Sequence, residues 1–149
     1  MVSISFKRAT LSDIDEYLDI EKSVADLKTY SPITTEEEAE NEIKTNVVYF
    51  IKNEDLIIGS IAYELKSSEH AYFSGLVVRP EFQGQGIAKQ AMKDLLAGEL
   101  KDMKKIDLVT HPHNTPAVML YLSLGFIIEG WKDNYFGDGE PRIVLALNR

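Results

Sequence analysis

The stretch FQGQGIAKQAM, residues 82–92, follows an apolar run and opens a helical pattern. Gly84 and Gly86 sit at that junction. The first amides of a helix have no intrahelical acceptor and lie at the positive end of its dipole. Glycines there let an anion reach bare backbone, so a phosphate is the guest they invite. A plain glycine-rich turn is the competing reading. Two common phosphate loops do not fit. A Walker loop needs Gly-Lys-Ser/Thr, but Ile87 follows Gly86, and a dinucleotide fingerprint needs a third glycine where Lys89 stands.

Working outward, Ile87, Ala88, Ala91, Met92, Leu95 and Leu96 share one face of a helix that closes near Gly98. Upstream, the strand-like runs 47–52, 56–66 and 71–78 are separated by short polar turns, which predicts an antiparallel meander. Residues 2–8 alternate as a strand, with Val2, Ile4 and Phe6 on one face. Ser12 and Asp15 form an S-x-x-D helix start, continued by Ile14, Leu18 and the Tyr17/Glu21 pair. Ser31-Pro32 breaks the chain, and Thr35 with Glu38 marks a second start. The acids Glu36, Glu37 and Glu38 read as that helix's solvated first turn. Downstream come a strand at 106–110, a helix at 116–124, and strands at 126–132 and 142–147. The order β-α-α-β-β-β-α-β-α-β-β predicts an α/β fold of α+β type: one domain over 1–149, with a mixed, mostly antiparallel sheet of about seven strands and about four helices.

Composition narrows the function. A chain of 149 residues, 44% hydrophobic and 27% charged, is an ordinary globular sequence. No apolar run is long enough to span a bilayer, and the N-terminal residues lack a signal peptide's apolar core. No cysteine is present, which excludes disulfides, thiolate metal sites and a cysteine nucleophile. A cytoplasmic monomer or homodimer is the expectation. The net charge of −8 disfavours nucleic-acid binding and agrees with a cationic partner.

Gln83-Gly84-Gln85-Gly86-Ile87-Ala88 reads as Q-x-x-G-x-A, preceded by LVVRPEF. This resembles the acyl-CoA-binding signature of the GNAT superfamily of N-acetyltransferases. A second block is similar to that family too: Asn114, Ala117, Tyr121, Gly125 and Phe126 keep the spacing N-x-x-A-x-x-x-Y-x-x-x-G-F. The opening FKRATLSDIDEY looks like the family's first strand and helix, so the resemblance covers essentially the whole chain.

The resemblance implies the GNAT fold and direct, ternary-complex transfer of an acetyl group from acetyl-CoA to a primary amine. It implies that the loop Gln83 to Lys89 binds coenzyme A, with the amides of Gln85, Gly86, Ile87 and Ala88 on its pyrophosphate. Leu76, Val77 and Val78 would lie along the pantetheine arm, where the strand before the loop splays from the strand after it. An amide near Leu76 or Val77 would face the thioester oxygen. Asn114 is either free to hold the cofactor, if Thr115 caps the next helix, or is itself the cap. Tyr121 is either a buried core tyrosine or the general acid that protonates the departing thiolate, and the resemblance favours the acid.

The general base is not evident. An alkyl ammonium has a pKa near 10 and must lose a proton before attack. Some relatives use a carboxylate on the fourth or fifth strand, but here those strands offer Tyr72 and Ser74, and Val109 and Thr110. Glu64, Glu69, His111 or a chain of waters remain, and without a dedicated base the rate is expected to climb with pH. His111 and His113 read as a solvated strand end, not a metal site, since no third ligand is near. No G-x-S-x-G elbow supports a serine hydrolase.

By resemblance, the acceptor pocket is built from segments 27–34 and 131–142, with Tyr30, Trp131, Tyr135 and Phe136 as aromatic walls beside Tyr72 and Ser74. A small-molecule amine is the expected acceptor. A peptide N-terminus or lysine is the alternative, because KDNYFGDGEPR partly resembles peptide-acetylating members, which often carry paired tyrosines where this chain has Tyr135-Phe136. A non-catalytic acyl-CoA sensor is the rival from another class.

Overall fold

The computed structural model describes residues 2–27 and 29–149. Among these residues seven strands form one sheet: β1 (Ser5–Arg8), β2 (Val47–Asn53), β3 (Leu56–Leu65), β4 (His70–Val78), β5 (Lys105–Thr110), β6 (Ile127–Lys132) and β7 (Arg142–Asn148). Four α-helices accompany them: α1 (Ile14–Lys22), α2 (Glu36–Thr45), α3 (Ile87–Ala97) and α4 (Thr115–Ser123). The element order is the one the sequence predicts. The sheet runs β1-β2-β3-β4-β5-β7-β6, and only the β4–β5 pair is parallel.

Strand alternation divides the core between the two faces of the sheet. Val48, Phe50, Ala62 and Val77 pack with Tyr17, Leu18, Ile20 and Ala39 of α1 and α2. Their neighbours Ile51, Ile61, Tyr63 and Val78 pack on the other face with Ile87, Met92, Leu95 and Leu96 of α3, joined by Tyr121 and Phe126. The β4–α3–β5 crossover therefore covers one face, while the first two helices cover the other.

Most boundaries shift by a single residue, and two differ by more. Ladder pairing of β1 begins at Ser5, opposite Lys52, so residues 2–4 form no strand although Val2 and Ile4 still pack on the core. The first helical start belongs to Thr10, not Ser12. The Thr10 amide donates to Asp13 Oδ2 at 2.9 Å, and a 3₁₀ turn over Leu11–Asp13 leads into α1. Both spacings carry a hydroxyl followed three residues later by an acid, and the earlier one wins. The second start is as expected: Thr35 Oγ1 accepts from the Glu38 amide at 3.2 Å.

Candidate active site

Strands β4 and β5 pair from His70 with Lys105 to Phe73 with Leu108, and no further. Beyond Phe73, β4 keeps β3 on one side and, among the described residues, has no strand partner on the other. A bulge lies at the same point, because Ala62 pairs with Gly75 and Tyr63 with Phe73, leaving Ser74 unopposed. Bulges re-aim a side chain and bend a strand. The expected splay is therefore present, and a cavity of about 770 Å³ occupies it. Gly59 fixes the opposite side of β4, since a Cβ there would meet the Val77 carbonyl oxygen at 2.3 Å.

The glycine loop bounds one end of this cavity. Gly84 and Gly86 adopt left-handed φ values of 79° and 80°, and Gly86 is the N-cap of α3. Nothing lies within 4 Å of a Cβ built on either glycine, so the backbone faces open space. Side chains would be strained there by the backbone angle alone. Gln83 lines the cavity while its carboxamide donates to the Val78 carbonyl at 2.9 Å, tying the loop to the end of β4. Ile87, Ala88 and Lys89 line it as well; the exposed Gln85 does not.

Leu76, Val77, Val78, Asn114 and Tyr121 join the same lining. Asn114 is the helix cap: its Oδ1 accepts from the Ala117 amide at 3.4 Å, and Thr115 is already the first helical residue. The cap thus occupies one end of the carboxamide, and the other end remains beside the Tyr30 hydroxyl. Tyr121 is buried with its ring 5.8 Å from that of Phe126. Burial, reinforced by Tyr30, pushes its phenol well above the usual tyrosine range. Its hydroxyl has no hydrogen-bond partner among the described residues.

Of the expected acceptor residues, Tyr30, Tyr72, Ser74 and Phe136 line the cavity. Trp131 does not: it stands on β6, 56% exposed, with its indole N–H on Asp133. Tyr135 is outside the lining too, although its hydroxyl lies against that of Tyr72. Burial, with Tyr135 second, raises the Tyr72 phenol. Leu27, Thr29 and Ser31 contribute from segment 27–34, whereas Lys28 lies outside the described residues.

The expected bases fare differently. Glu64 pairs with Lys66 and Glu69 with Lys104, and neither lines the cavity. His111 does line it, but as a buried residue and not a solvated strand end. Its Nδ1 accepts the His113 amide at 3.0 Å, so Nε2 carries the proton and donates to Glu140 at 2.9 Å. Both ring nitrogens are engaged, which leaves no lone pair for an incoming proton. Among the described residues no group of three or more His, Asp or Glu could hold a metal ion.

Sequence reasoning missed the acids that are present. Glu21 on α1, with Glu38 and Glu42 on α2, lines the cavity. Glu38 is therefore more than a solvated first-turn acid. Glu42 Oε1 accepts from Ser74 Oγ at 2.6 Å and from Asn46 Nδ2 at 2.9 Å. Glu21 is 6% exposed, and burial raises its carboxyl to about 7, with Glu42 and Glu38 adding to the rise and a hydrogen bond from the Ile33 amide opposing it. Arg142 was expected only as the end of segment 131–142. It is 2% exposed, bonded to Asp138 at 3.1 Å and stacked 5.1 Å from the centre of the Phe136 ring.

The cavity is thus polarised. A helix start and Lys89 make one end suited to anions, and three carboxylates make the other suited to cations. A parted sheet with a helix start at the mouth of the gap is what the resemblance implied. The pattern of the acetyltransferase (GNAT) family matches residues 11–126, and the chain belongs to that family. It is 28% identical to the uncharacterized N-acetyltransferase YnaD of Bacillus subtilis over 58% of each chain, so the match spans little more than half of that relative's length. In fold it superposes on the ribosomal-protein-S18-alanine N-acetyltransferase of Escherichia coli with a TM-score of 0.82, at 20% identity, over 98% of this chain and 94% of that one. A GNAT family acetyltransferase from Elizabethkingia anophelis with acetyl-CoA bound superposes with a TM-score of 0.75, at 22% identity, over 98% of both chains. Among the described residues no helix is long and apolar enough to cross a membrane.

Proposed function

We propose that this protein transfers an acetyl group from acetyl-CoA to the primary amine of a small molecule, with both substrates bound together. The observation that carries the reading is the parting of β4 from β5 beyond Phe73 and Leu108, with an anion-suited and a cation-suited end to the space between. Coenzyme A fits the donor end, because the open backbone at Gly84 and Gly86 leaves room for a pyrophosphate that a Cβ would crowd. Acetyl-CoA supplies the acyl group as a thioester, whose carbon gains the bond to nitrogen as the thiol departs.

The chain's own groups divide the remaining labour. The free amides at the start of α3, with Lys89, hold the anionic end of the donor. The unpaired edge of β4 at Leu76, Val77 and Val78 accepts an extended amide-bearing arm as a sheet accepts another strand. An amide of that edge, aimed at the thioester oxygen, steadies charge as it builds there. The Tyr121 hydroxyl, kept protonated by burial, delivers its proton to the departing sulfur. Neither β4 nor β5 puts a carboxylate in the lining, and the acceptor reacts as free amine or releases its proton through water.

The test is thiol release from acetyl-CoA with a panel of monoamines, diamines, amino acids and short peptides, with product masses measured. Amine-dependent release with a mass gain of one acetyl group is the expected result. Release confined to the peptides would favour the protein-acetylating alternative. Coenzyme A binding with no release on any amine would make the chain a non-catalytic acyl-CoA sensor.

A further inference from the structure

Glu21, Glu38 and Glu42 line one wall of the cavity, Glu38 and Glu42 lying one turn apart on α2. Among the described residues none of the three forms an ion pair. The cavity's basic side chains lie elsewhere: Lys89 is on α3, and Arg142 is engaged by Asp138. Glu21 is the telling member. It is more than nine-tenths buried, yet among the described residues its side chain accepts one hydrogen bond, a 3.3 Å contact from the Ile33 amide to Oε2, and Oε1 has none. A buried carboxylate without a counter-charge is costly, and a cation entering the cavity would offset that cost.

The reacting nitrogen cannot be that cation. Attack requires a neutral amine, and carboxylates beside an ammonium hold its proton on. Glu42 also stands away from the proposed acylation point. Glu42 is bonded to Ser74, and at the rise of a strand Leu76 lies about 7 Å further along β4. We infer that the acceptor is an aliphatic diamine, whose second ammonium sits among Glu21, Glu38 and Glu42 while its first, deprotonated nitrogen reaches the β4 edge. This rests on the acetyltransferase reading. It disfavours amino acids, whose carboxylate the wall would repel, and peptide N-termini, which carry no second charge at a fixed distance.

The experiment is calorimetry at pH 8 on the full chain saturated with coenzyme A, titrated with 1,4-diaminobutane, 1-aminobutane and 4-aminobutanoate. The diamine is expected to bind about tenfold tighter than the monoamine, the scale of one hydrogen-bonded charge contact, and the amino acid weakest of all. Glu38→Gln, at an exposed position that leaves the core untouched, is expected to reduce the diamine's preference several-fold. Equal affinities for diamine and monoamine, no diamine binding, or a preference unmoved in both Glu38→Gln and Glu21→Gln would overturn the inference. Thiol release measured in parallel separates the two claims. Diamine-selective binding without transfer would remove the transferase reading and keep the cation site, whereas transfer with no diamine preference would do the reverse.

Discussion

Ser74 Oγ donates to Glu42 Oε1 across 2.6 Å, joining the bulge of β4 to the middle of α2. The unopposed bulge residue thereby holds a carboxylate from the opposite wall of the cavity. Ser74→Ala deletes this bond and leaves Glu42 with Asn46 alone. Because the bond is intramolecular and partly exposed, the loss of stability is expected to be about 1 kcal/mol. The acceptor KM is expected to rise several-fold while coenzyme A affinity stays constant. An unchanged acceptor KM would remove the Ser74–Glu42 pair from the acceptor wall.

Gly86→Glu tests the donor end. The substitution places a side chain on a φ of 80° and a carboxylate where phosphate oxygens must approach. Binding of coenzyme A is expected to be lost in a protein that remains folded by circular dichroism. Gly86→Ala separates the two causes, since it keeps the strain without the charge and is expected to weaken binding less. Unchanged calorimetric affinity in Gly86→Glu would exclude the loop from the donor site.

Tyr121→Phe keeps the ring against Phe126 and removes the acid. Turnover is expected to fall by roughly 10²-fold or more, with donor affinity nearly constant. Since the hydroxyl has no protein partner among the described residues, thermal stability is expected to change little. A variant with normal turnover would make Tyr121 a packing residue of α4.

The fold was legible because each element announces itself locally. Period-two runs set the meander, a period near four set α3, and polar turns separated them. The glycine-loop end of the cavity is written compactly for a related reason: its lining residues all fall between Gln83 and Lys89, so a spacing alone displays them. The acidic end is assembled from single residues on separate elements. Glu42 sits at an unremarkable helical position, and His111 and Arg142 are buried by partners from the 137–141 loop that no spacing reveals. Glu21 did leave a trace. It falls in the apolar stripe of α1 with Ile14, Tyr17 and Leu18, where a carboxylate has no business unless it faces a cavity.

That buried carboxylate makes stability depend on pH in a definite sense. Folded Glu21 keeps its proton up to about 7, while the unfolded chain releases it near 4.5. Between those values the folded state binds the extra proton, so the contribution of neutral Glu21 is complete below 4.5 and is lost as pH rises through 7. Glu21→Gln is neutral throughout and escapes the loss. The variant is expected to match the native protein near pH 4.5 and to exceed it above pH 7.5, by an amount on the order of 3 kcal/mol at most. For a chain of this size that corresponds to a Tm gain of roughly 2–4 °C per kcal/mol. The same variant is expected to lose affinity for a cationic acceptor, and to lose the part of the rise in kcat/KM that follows Glu21 ionisation through about 7. Thermal melts of both proteins across about pH 4.5 to 8.5 check the first claim. Parallel melting curves with no pH-dependent gap would mean that Glu21 ionises normally in the folded protein, and a gap that widened toward acid would reverse the sign argued here.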